Sequence, residues 1–263
     1  MSVERATPGE ANWAELSAPH VARYLFASAY VCGKRVLDAG TGSGYGAALL
    51  KSAGAASVLA VDIDADAIQA AKTRFATDGL HYIVDDCEKL EQAAGPFDVI
   101  CNFENIEHLP HPEKFLAAAA ARLTSDGVLL TSTPDRKSTP PFVNGKPANP
   151  FHVHEWYELE FRKLLDVSFG EIDMRVQVRS AALQSRADAV AALRDALVWS
   201  NPISLLAFRK FRGSGQNRPW KKLAGLAAPG VGDFPIVPAA VASVYGESWF
   251  HLAICRQPRT AKA

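Results

Sequence analysis

Apolar and polar positions along the chain alternate between two periods. Five short apolar runs, VLDA, SVLAVD, LHYIV, FDVICN and GVLLTST, have strand length. Between them lie GYGAALLKSA, ADAIQAAKTRFA and PEKFLAAAAARL, whose apolar positions recur three and four residues apart, as on one face of a helix. This alternation, sustained from Lys34 to about Arg256, predicts an α/β fold: a mostly parallel sheet with helices on both faces. Asp64 before ADAIQAA reads as a helix start, and Ser125, Asp126 and Gly127 after AAAARL as a helix stop. A further helix, EWYELEFRKLLDVS, precedes FGEIDMRVQV, and ESWFHLAICRQ follows much later, so these two apolar runs read as the last two strands.

Residues 178–247, between those strands, change character. A helical stretch, ADAVAALRDALVWS, gives way to a segment rich in Gly, Pro and basic residues. This is an insertion over the ligand-binding edge of the sheet, where a substrate lid would sit; a packed structural subdomain is the competing reading. The remaining divisions are residues 1–33, a helical segment that packs on the domain or caps its pocket, 34–177, the α/β core, and 248–263, the last strand and tail.

At 263 residues the chain buries a substantial core without disulfides. Its four cysteines, Cys32, Cys87, Cys101 and Cys255, are scattered with no C-x-x-C pair, which suits a reducing compartment. The first residues carry no basic stretch followed by an apolar one, and no apolar run approaches the ~18 residues of a membrane span, so the expectation is a cytoplasmic protein. Lys+Arg and Asp+Glu both number 28, which disfavours a nucleic-acid partner held by counterion release. Arg209, Lys210, Arg212, Arg218, Lys221 and Lys222 read as a solvated basic loop.

The strongest local signal is VLDAGTGSGYGAALL, in which a strand ends at Asp38, the chain turns through Gly40, Gly42, Gly44 and Gly46, and a helix follows. Glycines there permit positive φ and let a ligand approach the peptide groups. Gly42, Gly44 and Ala47, with Asp62 further on, also satisfy the dinucleotide pattern G-x-G-x-x-G/A. Further segments favour another cofactor. Asp38 with Gly40, Gly42 and Gly44 resembles the first motif of class I S-adenosylmethionine-dependent methyltransferases, AVDID the second, and YIVDDCEKL the strand end that frames adenine. FDVI with EHL, then LTSDGVLLTSTP, resemble that family's fourth and fifth strands.

The resemblance covers about residues 34–177 and the last strand, and implies a Rossmann-like sheet of seven strands with S-adenosylmethionine as cofactor. It implies that Asp62 accepts from both ribose hydroxyls, with Ile63 beside it. Asp86, rather than Asp85, would accept from the adenine amino group while the Cys87 N–H serves a ring nitrogen. Gly40, Gly42 and Gly44 would line the methionine part, and Asp38 would orient the loop or reach the ammonium group through water. Asn102 and Phe103 would border the sulfonium.

Directly after the fourth strand comes FENIEHL. In a helical turn Glu104, Glu107 and His108 occupy i, i+3 and i+4 and project to one side. Two carboxylates and an imidazole suit Mg²⁺, Mn²⁺ or Zn²⁺ without selecting among them. E-x-x-E-H with a later His before EW…EF resembles the small-RNA 3′-end 2′-O-methyltransferases, and that alignment makes His152, not His154, a fourth ligand. F-x-x-I-E-H-L, STP and NPFH also resemble bacterial methyltransferases acting on sugar hydroxyls in polysaccharide and glycoside biosynthesis, including mycobacterial methylmannose-polysaccharide enzymes.

These resemblances imply O-methylation of a sugar, glycoside or polysaccharide precursor. Deprotonation would fall to His108, or to a metal held by Glu104, Glu107, His108 and His152, with Trp156, Tyr157, Trp199 and Trp220 as sugar-stacking candidates. A homodimer is a further expectation. Competing functions are O- or N-methylation of a natural product or quinone, RNA 3′-end methylation, and a non-catalytic S-adenosylmethionine-binding regulatory subunit.

Overall fold

The computed structural model describes residues 13–185, 231–242 and 248–259. One sheet contains β1 (Arg35–Ala39), β2 (Ser57–Asp62), β3 (Leu80–Val84), β4 (Phe97–Phe103), β5 (Leu123–Pro134), β6 (Phe169–Val178), β7 (Ile236–Pro238) and β8 (Ser248–Pro258). Their order is β3-β2-β1-β4-β5-β8-β6-β7. The pairings among β1 to β5 are parallel, whereas β8 runs antiparallel to both β5 and β6. The chain travels outward from β1 to β3 and then returns to place β4 on the other side of β1. That reversal opens a crevice at the carboxyl ends of β1 and β4, where open α/β sheets bind ligands.

Among the described residues, helices α1 (Trp13–Val31), α2 (Tyr45–Ser52), α3 (Ala65–Phe75), α4 (Pro112–Arg122) and α5 (Glu158–Asp166) cover the sheet. Alternation along each strand decides which helices lie on which face. Val36, Val58 and Ala60 pack with Tyr24, Ala27, Leu50 and Ile68, so α1, α2 and α3 share one face. Leu37, Val61 and Ile100 pack with Phe115, Leu116, Phe161 and Leu165, which puts α4 and α5 on the other. Truncating a fully buried ring such as Phe161 to alanine costs about 3–5 kcal/mol. Asp64 caps α3 as expected, accepting from the Asp66 and Ala67 amides.

Three sequence expectations are corrected. The sheet has eight strands rather than seven, because residues 236–238 return from the insertion and pair with β6. The insertion's final stretch therefore builds the sheet. Phe234 joins Ala18 and Ala22 of α1 in one apolar cluster, with Trp249 packed against it. The predicted helix over 187–200, the basic loop, Trp199 and Trp220 lie outside the described residues.

The helix stop at Ser125–Gly127 falls earlier, at Leu123, because Leu123 is buried and pairs with Phe97 at a register shift in the β4–β5 ladder. Finally, FENIEHL is not an α-helical turn. Only Ile106–His108 form a 3-10 turn, and Glu104 has φ +53°, in the left-handed region. Among the described residues no helix is long and apolar enough to cross a membrane.

Candidate active site

The loop after β1 is held by side-chain acceptors at both ends. Asp38, buried under α1, accepts from Thr41 Oγ1 at 2.6 Å and from Tyr24 Oη at 3.1 Å. Burial pushes its carboxyl up to about 6, although both hydrogen bonds favour the ionised form. At the end of β2, Asp62 accepts from the Gly42 amide at 2.8 Å and the Asp64 amide at 3.0 Å. Asp62 thus ties the glycine loop to the β2 terminus.

Gly40 and Gly42 differ in an informative way. Both have positive φ, but a Cβ on Gly40 would meet the Asn105 side chain at 2.4 Å, while a Cβ on Gly42 would meet nothing within 4 Å. Gly40 is fixed by protein packing, whereas the space over Gly42 is open, a cradle in which a ligand could approach the loop.

Ile63 stands 72% exposed beside that cradle, a large apolar side chain that a flat apolar ring could cover. Asp85 and Asp86 are separated by their bonding. Asp85 is buried and accepts from the amides of Asp86, Gln92 and Ala93, so it builds the loop. Asp86 accepts from the Glu88 amide and faces Lys89 at 3.4 Å, with its side chain one-third exposed. The Cys87 side chain is buried, and burial raises its thiol far above the usual range. Asn102 is fully buried and donates to the Ala39 carbonyl at 3.0 Å, a bond that joins β1 to β4. Phe103 packs edge-on against Tyr24, with ring centroids 5.1 Å apart.

The second half of the site lies beyond β4. Glu107, His108 and His152 each offer a ligand atom within 4.8 Å of the others, while Glu104 is outside that group. The loop after β5 delivers His152: the Val153 and His154 amides donate to the Glu107 carbonyl at 2.9 and 3.1 Å, which stitches this loop to the 3-10 turn. His108 Nδ1 donates to the Phe151 carbonyl at 2.8 Å, leaving Nε2 as the basic nitrogen.

His152 Nδ1 bonds Glu155 at 3.1 Å, and its Nε2 accepts from Asn149 Nδ2 at 2.9 Å. Glu155 is itself held by Thr139 Oγ1 at 2.6 Å and faces Arg136 at 3.7 Å. Glu107 Oε2 is buried with no hydrogen-bond partner among the described residues. Burial, and then the neighbouring Glu104 charge, raise the Glu107 carboxyl well above its ordinary range. A cation here would reverse both effects.

Arg23, Tyr24, Asn105 and Glu155 were missed by sequence reading. Arg23 is fully buried, donates to Gln177 Oε1, and places Nη2 3.8 Å from Glu104 Oε1. Glu104 also accepts from Ser132 Oγ at 3.0 Å, so its left-handed backbone directs the carboxylate toward β5 and α1.

The profile of the methyltransferase-domain family matches residues 15–188. The chain belongs to that family. It is an enzyme of the methyl-transferring class. A Mycolicibacterium smegmatis protein described as a probable S-adenosylmethionine-dependent methyltransferase is 29% identical to it over 239 residues, covering 90% of this chain and 87% of the relative. The ubiquinone biosynthesis O-methyltransferase of Neisseria meningitidis is 33% identical over 114 residues, 42% of this chain and 48% of that protein. Among solved structures, an S-adenosylmethionine-dependent methyltransferase from Archaeoglobus fulgidus has the same fold at TM-score 0.56 and 17% identity, covering 92% of this chain and 94% of that one. In this methyltransferase the glycine loop is tied to the β2 terminus, and the turn after β4 is stitched to the loop that carries His152.

Proposed function

We propose that this methyltransferase moves a methyl group from S-adenosylmethionine to a hydroxyl of a sugar, glycoside or polysaccharide precursor. The family membership and the cradle over Gly42 support the cofactor, whose sulfonium supplies an already activated methyl group. Asp62 accepts from the ribose hydroxyls and Ile63 covers the adenine. Asp86 and the Cys87 amide take its polar edge, and Asp38 with Gly40, Gly42 and Gly44 shapes the methionine end. Residues 34–177 are read as the cofactor-binding core, and 178–247 as an insertion toward the acceptor.

The observation that carries the reading is the convergence of Glu107, His108 and His152 within 4.8 Å at the carboxyl edge of the sheet. A protonated alcohol is a poor nucleophile, so transfer to oxygen needs a group that removes the proton as the C–O bond forms. Nε2 of His108 takes that proton, and the Phe151 carbonyl fixes the ring as the tautomer able to do so.

The three side chains also suit a divalent cation, Mg²⁺, Mn²⁺ or Zn²⁺, which would supply Lewis acidity to the same hydroxyl. The orphan Glu107 oxygen and the Nδ1 bonds of both imidazoles fit such an ion. His152 Nε2 would give up its Asn149 bond on ligation.

The test is S-adenosylhomocysteine release over a panel of sugars, glycosides, nucleosides and phenols, with EDTA and with each metal added back. Turnover of glycosides supports the reading. Loss in EDTA with recovery in one metal assigns the ion, and full activity in EDTA leaves His108 as the base. A second reading, methylation of a quinone precursor or other phenol, draws on the Neisseria relative, and turnover confined to phenols would establish it.

A further inference from the structure

Arg23 Nε and Nη2 are buried and form no hydrogen bond among the described residues, and Glu107 Oε2 faces the Thr133 hydroxyl. A buried donor without an acceptor is disfavoured, so such atoms mark a place where something polar binds. Arg23 and Glu107 both act electrostatically on Glu104, or are acted on by it.

Arg23 and Glu104 border the cradle, since both act electrostatically on Tyr45 at the start of α2 and Tyr24 bonds Asp38, but Arg23 reaches away from Asp62. Arg23 bonds Gln177 on β6 and its guanidinium lies 4.6 Å from the Phe250 ring of β8, and both strands lie beyond β5. The glycine loop and Asp62 belong to β1 and β2, on the far side of β4. The Arg23 guanidinium acts on Glu104 most strongly among the neighbouring charges, and His152 and His108 act less.

We propose that Arg23 and Glu104 form a diol-recognition pair for the acceptor, Glu104 accepting from one hydroxyl next to the methylated position and Arg23 donating to another. The proposal rests on the sugar-hydroxyl reading above and gives Glu104 a role different from a metal ligand. A carboxylate and a guanidinium side by side supply an acceptor and fixed donors to neighbouring hydroxyls. Before the acceptor arrives, the two hold each other at 3.8 Å, a separation wider than a hydrogen bond. Thr133, whose hydroxyl faces Glu107, continues the polar strip toward the turn after β4.

The experiment uses the full-length protein and the methyl glycoside turned over fastest, together with its monodeoxy analogues. In wild type, loss of a hydroxyl adjacent to the methylated one is expected to lower kcat/KM about tenfold to hundredfold. In Glu104→Gln or Arg23→Gln that penalty shrinks by most of its size, while S-adenosylhomocysteine affinity measured by calorimetry stays within about twofold. Glu104→Gln is the milder change and keeps the test alive where Arg23→Gln does not fold.

Equal deoxy penalties in wild type and Glu104→Gln overturn the proposal. So does an Arg23→Gln variant that loses S-adenosylhomocysteine affinity and keeps its acceptor KM, since the guanidinium would then serve the cofactor. A wild type that methylates glycosides but fails these comparisons sinks the diol pair alone; one that methylates none of them sinks the sugar reading as well.

Discussion

The cradle around Gly42 and the edge around Glu107 are built by opposite economies of hydrogen bonding. In the cradle, Asp38, Asp62 and Asp85 spend their oxygens on loop amides and hydroxyls within the protein, so the loop is already shaped. At the turn after β4, Arg23 carries buried nitrogens with no hydrogen-bond partner among the described residues, and Glu107 is held away from its ionised form. On the proposed reading, the preformed half receives the constant cofactor and the unsatisfied half is completed by a particular acceptor. Preorganisation would then belong to the donor, and recognition energy to the acceptor.

Separate losses in the two halves test that division. The largest effect is expected from His108→Gln, which should lower kcat/KM about 100-fold or more while S-adenosylhomocysteine binding by calorimetry is unchanged. A matching loss of cofactor affinity would merge the two halves. Next is Asp62→Ala, for which cofactor affinity should weaken about tenfold to hundredfold with little change in the acceptor KM, as the loss of charged hydrogen bonds requires.

The smallest effect concerns pH. The Asp38 carboxyl, raised to about 6, contributes folding stability that is fully present below its ordinary range near 4 and is lost as pH rises through about 6. A bound ammonium group favours the ionised carboxylate, so S-adenosylhomocysteine affinity should tighten as pH rises through about 6. Asp38→Asn should flatten that profile, and an unchanged slope would remove Asp38 from the cofactor's ammonium.

The cradle was legible because its determinants are local. A strand, a run of glycines and a helix within VLDAGTGSGYGAALL specify the loop, and Asp64 caps its helix two residues after Asp62. The acceptor edge depends on distant partners. Arg23 meets Gln177 across 154 positions, and His152 reaches Glu107 through a loop whose register no periodicity encodes. The additional strand, β7, is three residues ending in Pro238, too short for alternation to mark and suited to an edge. The Glu104 conformation was equally hidden, because positive φ in a residue other than Gly or Asn follows from surroundings rather than propensity.

The central claim is that the turn after β4 deprotonates a sugar hydroxyl for methyl transfer. It is tested most directly by following a ¹³C-labelled methyl from S-adenosylmethionine onto the glycoside panel by NMR, with wild type and His108→Ala side by side. The account predicts label on a sugar oxygen in wild type and at least about a hundredfold slower incorporation in the variant. Label on nitrogen or on a phenolic oxygen alone, or equal incorporation by His108→Ala, would contradict it.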